Sequence, residues 1–208
     1  MKSHKIITAP NDIESGLFAE GLSVVAGVDE VGRGPLAGPV LTCALVLPPG
    51  LVIEGVNDSK KVTEKRRESL AEEIKRVAVS YAFGIAEPAE IDRVNILQAT
   101  LAAMVQAFEK LSVSPSAVLV DGTTAPKFSD ENCRVICVQK GDSSSHLIAA
   151  ASILAKVERD SIMLRLHEEL PHYMWARNKG YGTPAHISAI REFGLSLHHR
   201  ESFCRAFK

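Results

Sequence analysis

Residues 23–47 read SVVAGVDEVGRGPLAGPVLTCALVL. Two apolar, β-branched segments, SVVAGVD (23–29) and VLTCALVL (40–47), bracket a Gly- and Pro-rich linker, and each reads as a buried strand. With no helix between them the two strands are expected to pair antiparallel. The first strand ends in adjacent carboxylates, Asp29 and Glu30, and strand ends of an α/β sheet are where sites are usually assembled.

The pattern extends outward from this pair. Thr63 stands where it can cap a helix through Val77, with Leu70, Ile74 and Val77 on one face and Glu72 spaced to pair with Arg76. A third strand, VSYAFGIA, starts at Val79. From residue 89 to 111, Ile91, Val94, Leu97, Leu101, Met104, Phe108 and Leu111 recur every three or four positions, which predicts one continuous helix. AVLVDG is a short buried strand ending at Asp121, and RVICVQKGD is another that runs into a polar turn at Asp142. A helix over residues 144–170 follows, apolar on all sides in LIAAASILA and therefore packed deep against the sheet, until Pro171 ends it. The expected fold is α/β, a mixed sheet flanked by helices with antiparallel pairing early and parallel pairing late.

The chain has 208 residues, is 46% hydrophobic and 24% charged, and carries a formal net charge of −1. That composition is globular, and the length suits one core of about 150–200 residues rather than two large domains. MKSHKIITAP lacks the apolar stretch of a secretory leader, and the longest apolar run, at residues 147–151, is far short of a membrane span. A cytoplasmic location and no membrane contact are expected. Cys43, Cys133, Cys137 and Cys204 are too few and scattered for a disulfide framework, and Cys133 and Cys137 are expected to be buried thiols. Charge is unevenly spread: residues 1–170 hold 18 basic and 23 acidic side chains, whereas residues 171–208 hold six basic and two acidic ones plus four His. The expected organisation is a catalytic core over residues 1–170 and a basic C-terminal helical segment over residues 171–208, packed on the core and facing an anionic partner.

Four acids, Asp29, Glu30, Asp121 and Asp142, fall at three strand ends. Singly, each has an ordinary explanation as a turn residue or a helix N-cap. Together, converging carboxylates repel unless cations neutralise them, and an all-oxygen set suits a hard divalent ion such as Mg2+ or Mn2+. Successive strand residues face opposite sides, so Asp29 and Glu30 converge only if the chain turns at Glu30, as Gly32 and Gly34 permit. The same glycines allow close approach to a ligand, and Arg33 offers a fork for a phosphate or a ribose.

GVDEVGRGPLAGPV (27–40), NDSKKVTEKRR (57–67), VDG (120–122), KGDS (140–143), AAASILAKVERD (149–160), NKGYGT (178–183) and HRESF (199–203) together resemble bacterial ribonuclease HII, a type 2 ribonuclease H. The resemblance implies a ribonuclease H-like mixed sheet with a C-terminal helical segment. It implies metal binding by Asp29, Glu30, Asp121 and Asp142, with two Mg2+ or Mn2+ ions in the active complex. Gly32, Arg33 and Gly34 would recognise the ribonucleotide 2′-hydroxyl, Tyr181 would sense the RNA-DNA junction, and Lys60 would contact backbone phosphate. The implied activity is hydrolysis of RNA in RNA-DNA hybrids and cleavage 5′ of ribonucleotides embedded in duplex DNA, leaving 5′-phosphate and 3′-hydroxyl ends, by a monomer. The sister ribonuclease HIII resembles the chain less, because it carries Thr where Arg33 stands and an extra N-terminal domain. Where the family often has a basic residue after KGDS, this chain has Ser144 and Ser145 before His146, so His146 is the candidate replacement for a phosphate contact. Asp160 reads as structural or as support for the metal site. His172, His186, His198 and His199 fit no compact ligand set, and Trp175 reads as packing. Two other functions share parts of the pattern: another acidic-core phosphoryl-transfer nuclease such as a resolvase, and a non-catalytic binding module. The first has no need of a 2′-hydroxyl sensor, and in the second unneutralised acids would oppose an anionic ligand.

Overall fold

The computed structural model describes residues 7–207. Residues 1–6, part of the stretch read above for a leader, and Lys208, counted in the basic tail, lie outside the described residues. The chain runs α1 (Asp12–Ala19), β1 (Val25–Val31), β2 (Val40–Val46), α2 (Glu64–Val77), β3 (Ser80–Ala86), α3 (Pro88–Val94), α4 (Ile96–Glu109), β4 (Ala117–Asp121), β5 (Arg134–Val138), α5 (Gly141–Ser144), α6 (His146–Glu169), a 3-10 turn (Pro171–Tyr173), α7 (Trp175–Asn178), α8 (Pro184–Phe193) and α9 (Glu201–Cys204).

One sheet has the order β3-β2-β1-β4-β5. The β1/β2 and β2/β3 pairs are antiparallel, and β4 lies parallel to both β1 and β5. This is the expected mixed sheet, with one difference in its logic: β2 and β3 are antiparallel although α2 separates them in sequence, and β4 and β5 are parallel although no helix does. The connection of residues 122–133 between β4 and β5 is long enough to return the chain to the same end of the sheet without a helix.

Strand alternation divides the core. Leu41, Cys43, Leu45 and Leu119 face the alanine-rich flank of α6, while Ala44, Val46, Val118 and Val120 face Met104 and Phe108 of α4. Helices come close because small residues leave room: a Cβ added at Gly84 would lie 1.8 Å from the Ala103 carbonyl oxygen, and one at Gly27 would lie 2.5 Å from the Leu147 backbone. On α1, Glu14 is buried and accepts from Ser145 Oγ (2.6 Å) and Leu147 N–H (2.9 Å), so α1 supplies the start of α6 with a carboxylate.

Several local expectations are corrected. The helix of residues 89–111 is two helices, because Asn95 takes φ 72° and its side chain accepts from the N–H groups of Leu97 and Gln98, ending α3 and capping α4. Thr63 stands at the start of α2 without a side-chain capping bond, and Glu72 pairs with Lys75 rather than Arg76. Cys137 is exposed on the edge strand β5, of which only Val138 is buried, while Cys133 is buried. Among the described residues no helix is long and apolar enough to cross a membrane.

Candidate active site

Sheet register makes the first acid pair. Parallel strands β1 and β4 match Val28 with Val120, so the next residue on each is a carboxylate, Asp29 beside Asp121. No turn occurs at Glu30, since β1 continues to Val31 with Glu30 paired to Thr42. The acids nevertheless meet: one oxygen from each of Asp29, Glu30 and Asp121 lies within 4.8 Å of the others. Asp29 folds back to accept Glu30 N–H at 2.8 Å, and Glu30 is one methylene longer and lies 3.5 Å from the Arg33 guanidinium. Asp121 accepts Gly141 N–H at 2.7 Å, which ties β4 to the start of α5.

Asp142 stands in the first turn of α5, outside that trio but in the same cleft. Its alternative role as the cap of the long helix does not hold, because Ser145 caps α6 by accepting Ile148 N–H.

Burial sets the electrostatics. Asp29 is only 4% exposed, and desolvation followed by the Glu30 charge pushes its carboxyl well above the usual range, against a hydrogen bond from Ser152. Glu30 is raised by burial and partly restored by Arg33. Asp142 is raised by burial, then by the charges of Asp58 and Asp121. A hard divalent cation relieves both the desolvation and the repulsion, and the donor set is wholly oxygen, so these residues fit Mg2+ or Mn2+.

A single cleft of about 370 Å³ is lined by all nine residues expected at the site: Asp29, Glu30, Gly32, Arg33, Gly34, Lys60, Asp121, Asp142 and Tyr181. Tyr181 is 46% exposed, and its ring edge stands 3.9 Å from where a Gly34 Cβ would be. A larger hollow of about 620 Å³ lies beside α8, far in composition from this chemistry, with Arg191 and Glu201 as its charged lining residues.

Besides Val31, three polar cleft residues escaped the sequence reading: Ser59, Ser152 and Lys156. The Ser59 and Ser152 hydroxyls are hydrogen-bonded at 3.0 Å, and Lys156 lies 2.7 Å from Asp160. The signal was available, since Ser152, Lys156 and Asp160 recur every four residues and so form a polar stripe along one face of the helix. Asp160 is buried between Lys156 and Arg67. His146 cannot reach a phosphate, because it is buried with Nε2 accepting Ile53 N–H at 3.0 Å.

The C-terminal histidines form a packed network around Trp175, which is fully buried and stacked on Tyr173. The indole N–H can only donate, so His186 Nε2 accepts from it (3.0 Å) and from His199 Nε2–H (3.1 Å). His186 Nδ1–H then donates to the Tyr181 carbonyl at 2.9 Å, and His199 Nδ1 accepts Ser196 N–H at 3.0 Å. Burial lowers both imidazoles, His199 to about 4.

A mixed five-stranded sheet with acids at the ends of adjacent strands defines the ribonuclease H-like class of metal-dependent nucleases. Consistent with that class, the fold superposes on ribonuclease H2 from Pyrococcus horikoshii with a TM-score of 0.73 and 27% identity, covering 88% of this chain and 96% of that one. The Ribonuclease HII family model matches residues 26–206, and the chain belongs to this family. Its relatives include the ribonuclease HII of Ruminiclostridium cellulolyticum, 50% identical over 194 residues (93% of this chain, 75% of that one). That of Cereibacter sphaeroides is 52% identical over 191 residues (91% of this chain, 88% of that one). The protein is therefore a metal-dependent endoribonuclease of the family that degrades RNA in RNA-DNA hybrids.

Proposed function

We propose that this enzyme also cuts duplex DNA on the 5′ side of an embedded ribonucleotide, leaving 5′-phosphate and 3′-hydroxyl ends, with two divalent ions in the active complex. The observation that carries this reading is the shared cleft, in which an acidic trio, a glycine loop with Arg33, and an exposed tyrosine stand side by side. Asp29, Glu30, Asp121 and Asp142 would hold Mg2+ or Mn2+, with Asp29 central. When bound, such ions supply charge neutralisation for the scissile phosphate and a water of lowered pKa.

The protein's own groups do the rest. Arg33 neutralises Glu30 in the free enzyme and offers its remaining N–H donors to a phosphate or ribose oxygen. Lys60, whose ammonium charge acts on Asp142, lines the cleft and suits a backbone phosphate. The Tyr181 ring, beside the Cβ-less Gly34, packs against a sugar lacking a 2′-hydroxyl, which selects a deoxyribonucleotide on the 3′ side of the ribonucleotide. Residues 1–170 act as the catalytic core and residues 171–208 complete the substrate face, in a monomer working in the cytoplasm.

The test is gel analysis of a DNA duplex carrying one ribonucleotide, with magnesium, manganese or chelator. Metal-dependent cleavage 5′ of the ribonucleotide with 5′-phosphate ends is the expected result. A 2′,3′-cyclic phosphate product, or cleavage that persists in chelator, would overturn the reading.

A further inference from the structure

Arg159 on α6 and Arg200 at the start of α9 are fully buried, yet among the described residues neither forms an ion pair with a carboxylate in the way buried arginines usually do. Asp160 turns to Lys156 and Arg67, and Asp92 turns to the N–H groups of Glu201 and Ser202. What the two guanidinium groups hold instead is backbone. Arg200 donates to the carbonyl oxygens of Gly32 (2.6 Å), Arg33 (2.9 Å) and Gly38 (2.8 and 3.0 Å). Arg159 donates to Pro39 (3.0 Å), Ala37 (3.2 Å) and Lys179 (3.0 Å). The loop before β2 and the segment before Tyr181 are thus clamped from behind by two forks.

The consequence follows from peptide geometry. Described peptide bonds are all trans, and a trans peptide points its N–H opposite to its C=O. With the Gly32 and Arg33 carbonyls drawn down onto Arg200, the N–H groups of Arg33 and Gly34 point the other way, toward the cleft that these residues line. Glycine on both sides of Arg33 leaves these peptide planes little intrinsic preference, so an external clamp is what sets them. Flipped planes would present carbonyl oxygens to an anionic strand.

On the reading of this loop as the ribose-sensing element, we propose that Arg200, braced by Arg159, is a positioning residue for ribonucleotide recognition, fixing the amides of Arg33 and Gly34 as donors toward the cleft. Arg is required because one planar group reaches three carbonyls at once. Burial and the neighbouring Arg159 lower Arg200 to about 9, so it remains a cation at neutral pH.

The experiment compares wild type, Arg200→Met and Arg200→Lys by melting temperature, by KM and kcat on a duplex with one ribonucleotide, and by Kd for the same duplex made wholly of DNA. Arg200→Met is expected to raise KM roughly ten- to a hundred-fold, the loss of one or two oriented hydrogen bonds, while the all-DNA Kd stays within about twofold. Arg200→Lys, which keeps the charge and reaches fewer carbonyls, should fall between. Folded Arg200→Met with an unchanged preference for the ribonucleotide duplex overturns the proposal, as does an equal loss on both duplexes. If Arg200→Met does not fold, Arg200→Lys decides: wild-type preference in a folded lysine variant overturns it. A wild-type enzyme that binds both duplexes equally overturns instead the reading of the loop on which the proposal stands, and the proposal with it.

Discussion

Gly32 and Gly34 flank one arginine, yet adding a methyl group to each should produce opposite kinds of damage. Gly32 takes φ +91°, and a Cβ there would lie 2.2 Å from Arg159 Nε, 2.7 Å from its Cδ and 2.8 Å from the Pro39 carbonyl oxygen. Alanine in that conformation costs about 1–2 kcal/mol. Arg159 must also retreat, and losing one or two of its charge-assisted bonds costs about 1.5–3 kcal/mol each. The Gly32→Ala loss is therefore about 2.5–8 kcal/mol, a melting temperature lower by roughly 5–30 °C for a chain of this size. Gly34 is a different case: the nearest atom to its Cβ is Tyr181 Cε1 at 3.9 Å, an ordinary contact. Gly34→Ala should leave stability within about 1 kcal/mol of wild type, and can raise it slightly by restricting the unfolded chain. Its methyl group instead occupies the space between the loop and Tyr181. Crowding a fitted site costs about 1–3 kcal/mol, a loss of roughly ten- to a hundred-fold in kcat/KM on a duplex with one ribonucleotide. Differential scanning calorimetry and steady-state cleavage read the two effects separately. Wild-type kcat/KM in Gly34→Ala would refute the claim that substrate enters this gap, and a Gly32→Ala melting temperature within 2 °C of wild type would refute the role given to the Arg159 contact.

The acid cluster gives a second expectation: Asp29→Asn should raise the melting temperature of the metal-free enzyme, because it removes a buried charge beside Glu30 and Asp121, and should abolish cleavage. In wild type, Mg2+ at a hundred times its Kd should stabilise by about 2.7 kcal/mol, and no thermal shift on adding Mg2+ or Mn2+ would exclude the cluster as a metal site. The buried histidines set a pH dependence of definite sign. His199 lies near 4 in the fold and about 6.5 when unfolded, so between these values the unfolded chain binds the extra proton and stability falls with falling pH. The raised carboxyls of Asp29, Glu30 and Asp142 act in the opposite sense, so the histidine part is read as a difference: urea midpoints at pH 7.5 and 5.0 should converge in His199→Asn relative to wild type. Tyr181→Ala should reduce cleavage at a single embedded ribonucleotide more than within a continuous RNA strand, by roughly ten- to a hundred-fold, and equal losses would leave the ring a structural role only.

Local pattern was enough for much of this protein. Continuous apolar, β-branched runs bounded by turn residues located β1, β2 and β4, the uniformly apolar LIAAASILA marked the helix under the sheet, and four carboxylates near strand ends marked the candidate site. These features are properties of neighbours in sequence, which is why they were legible there. The break at Asn95 was less so, because one residue with positive φ interrupts a periodicity that continues on both sides of it. What only the tertiary structure decided depends on residues far apart in the chain. The register of β1 on β4 sets Asp29 beside Asp121, and a slip of one residue would have turned one of them to the other face. Arg159 and Arg200 look in sequence like two more solvated charges, yet they are buried against loop carbonyls more than a hundred residues away. Their environment is created only when α6 and the C-terminal helices close over the loop, and no local periodicity encodes a contact whose partner is a backbone oxygen.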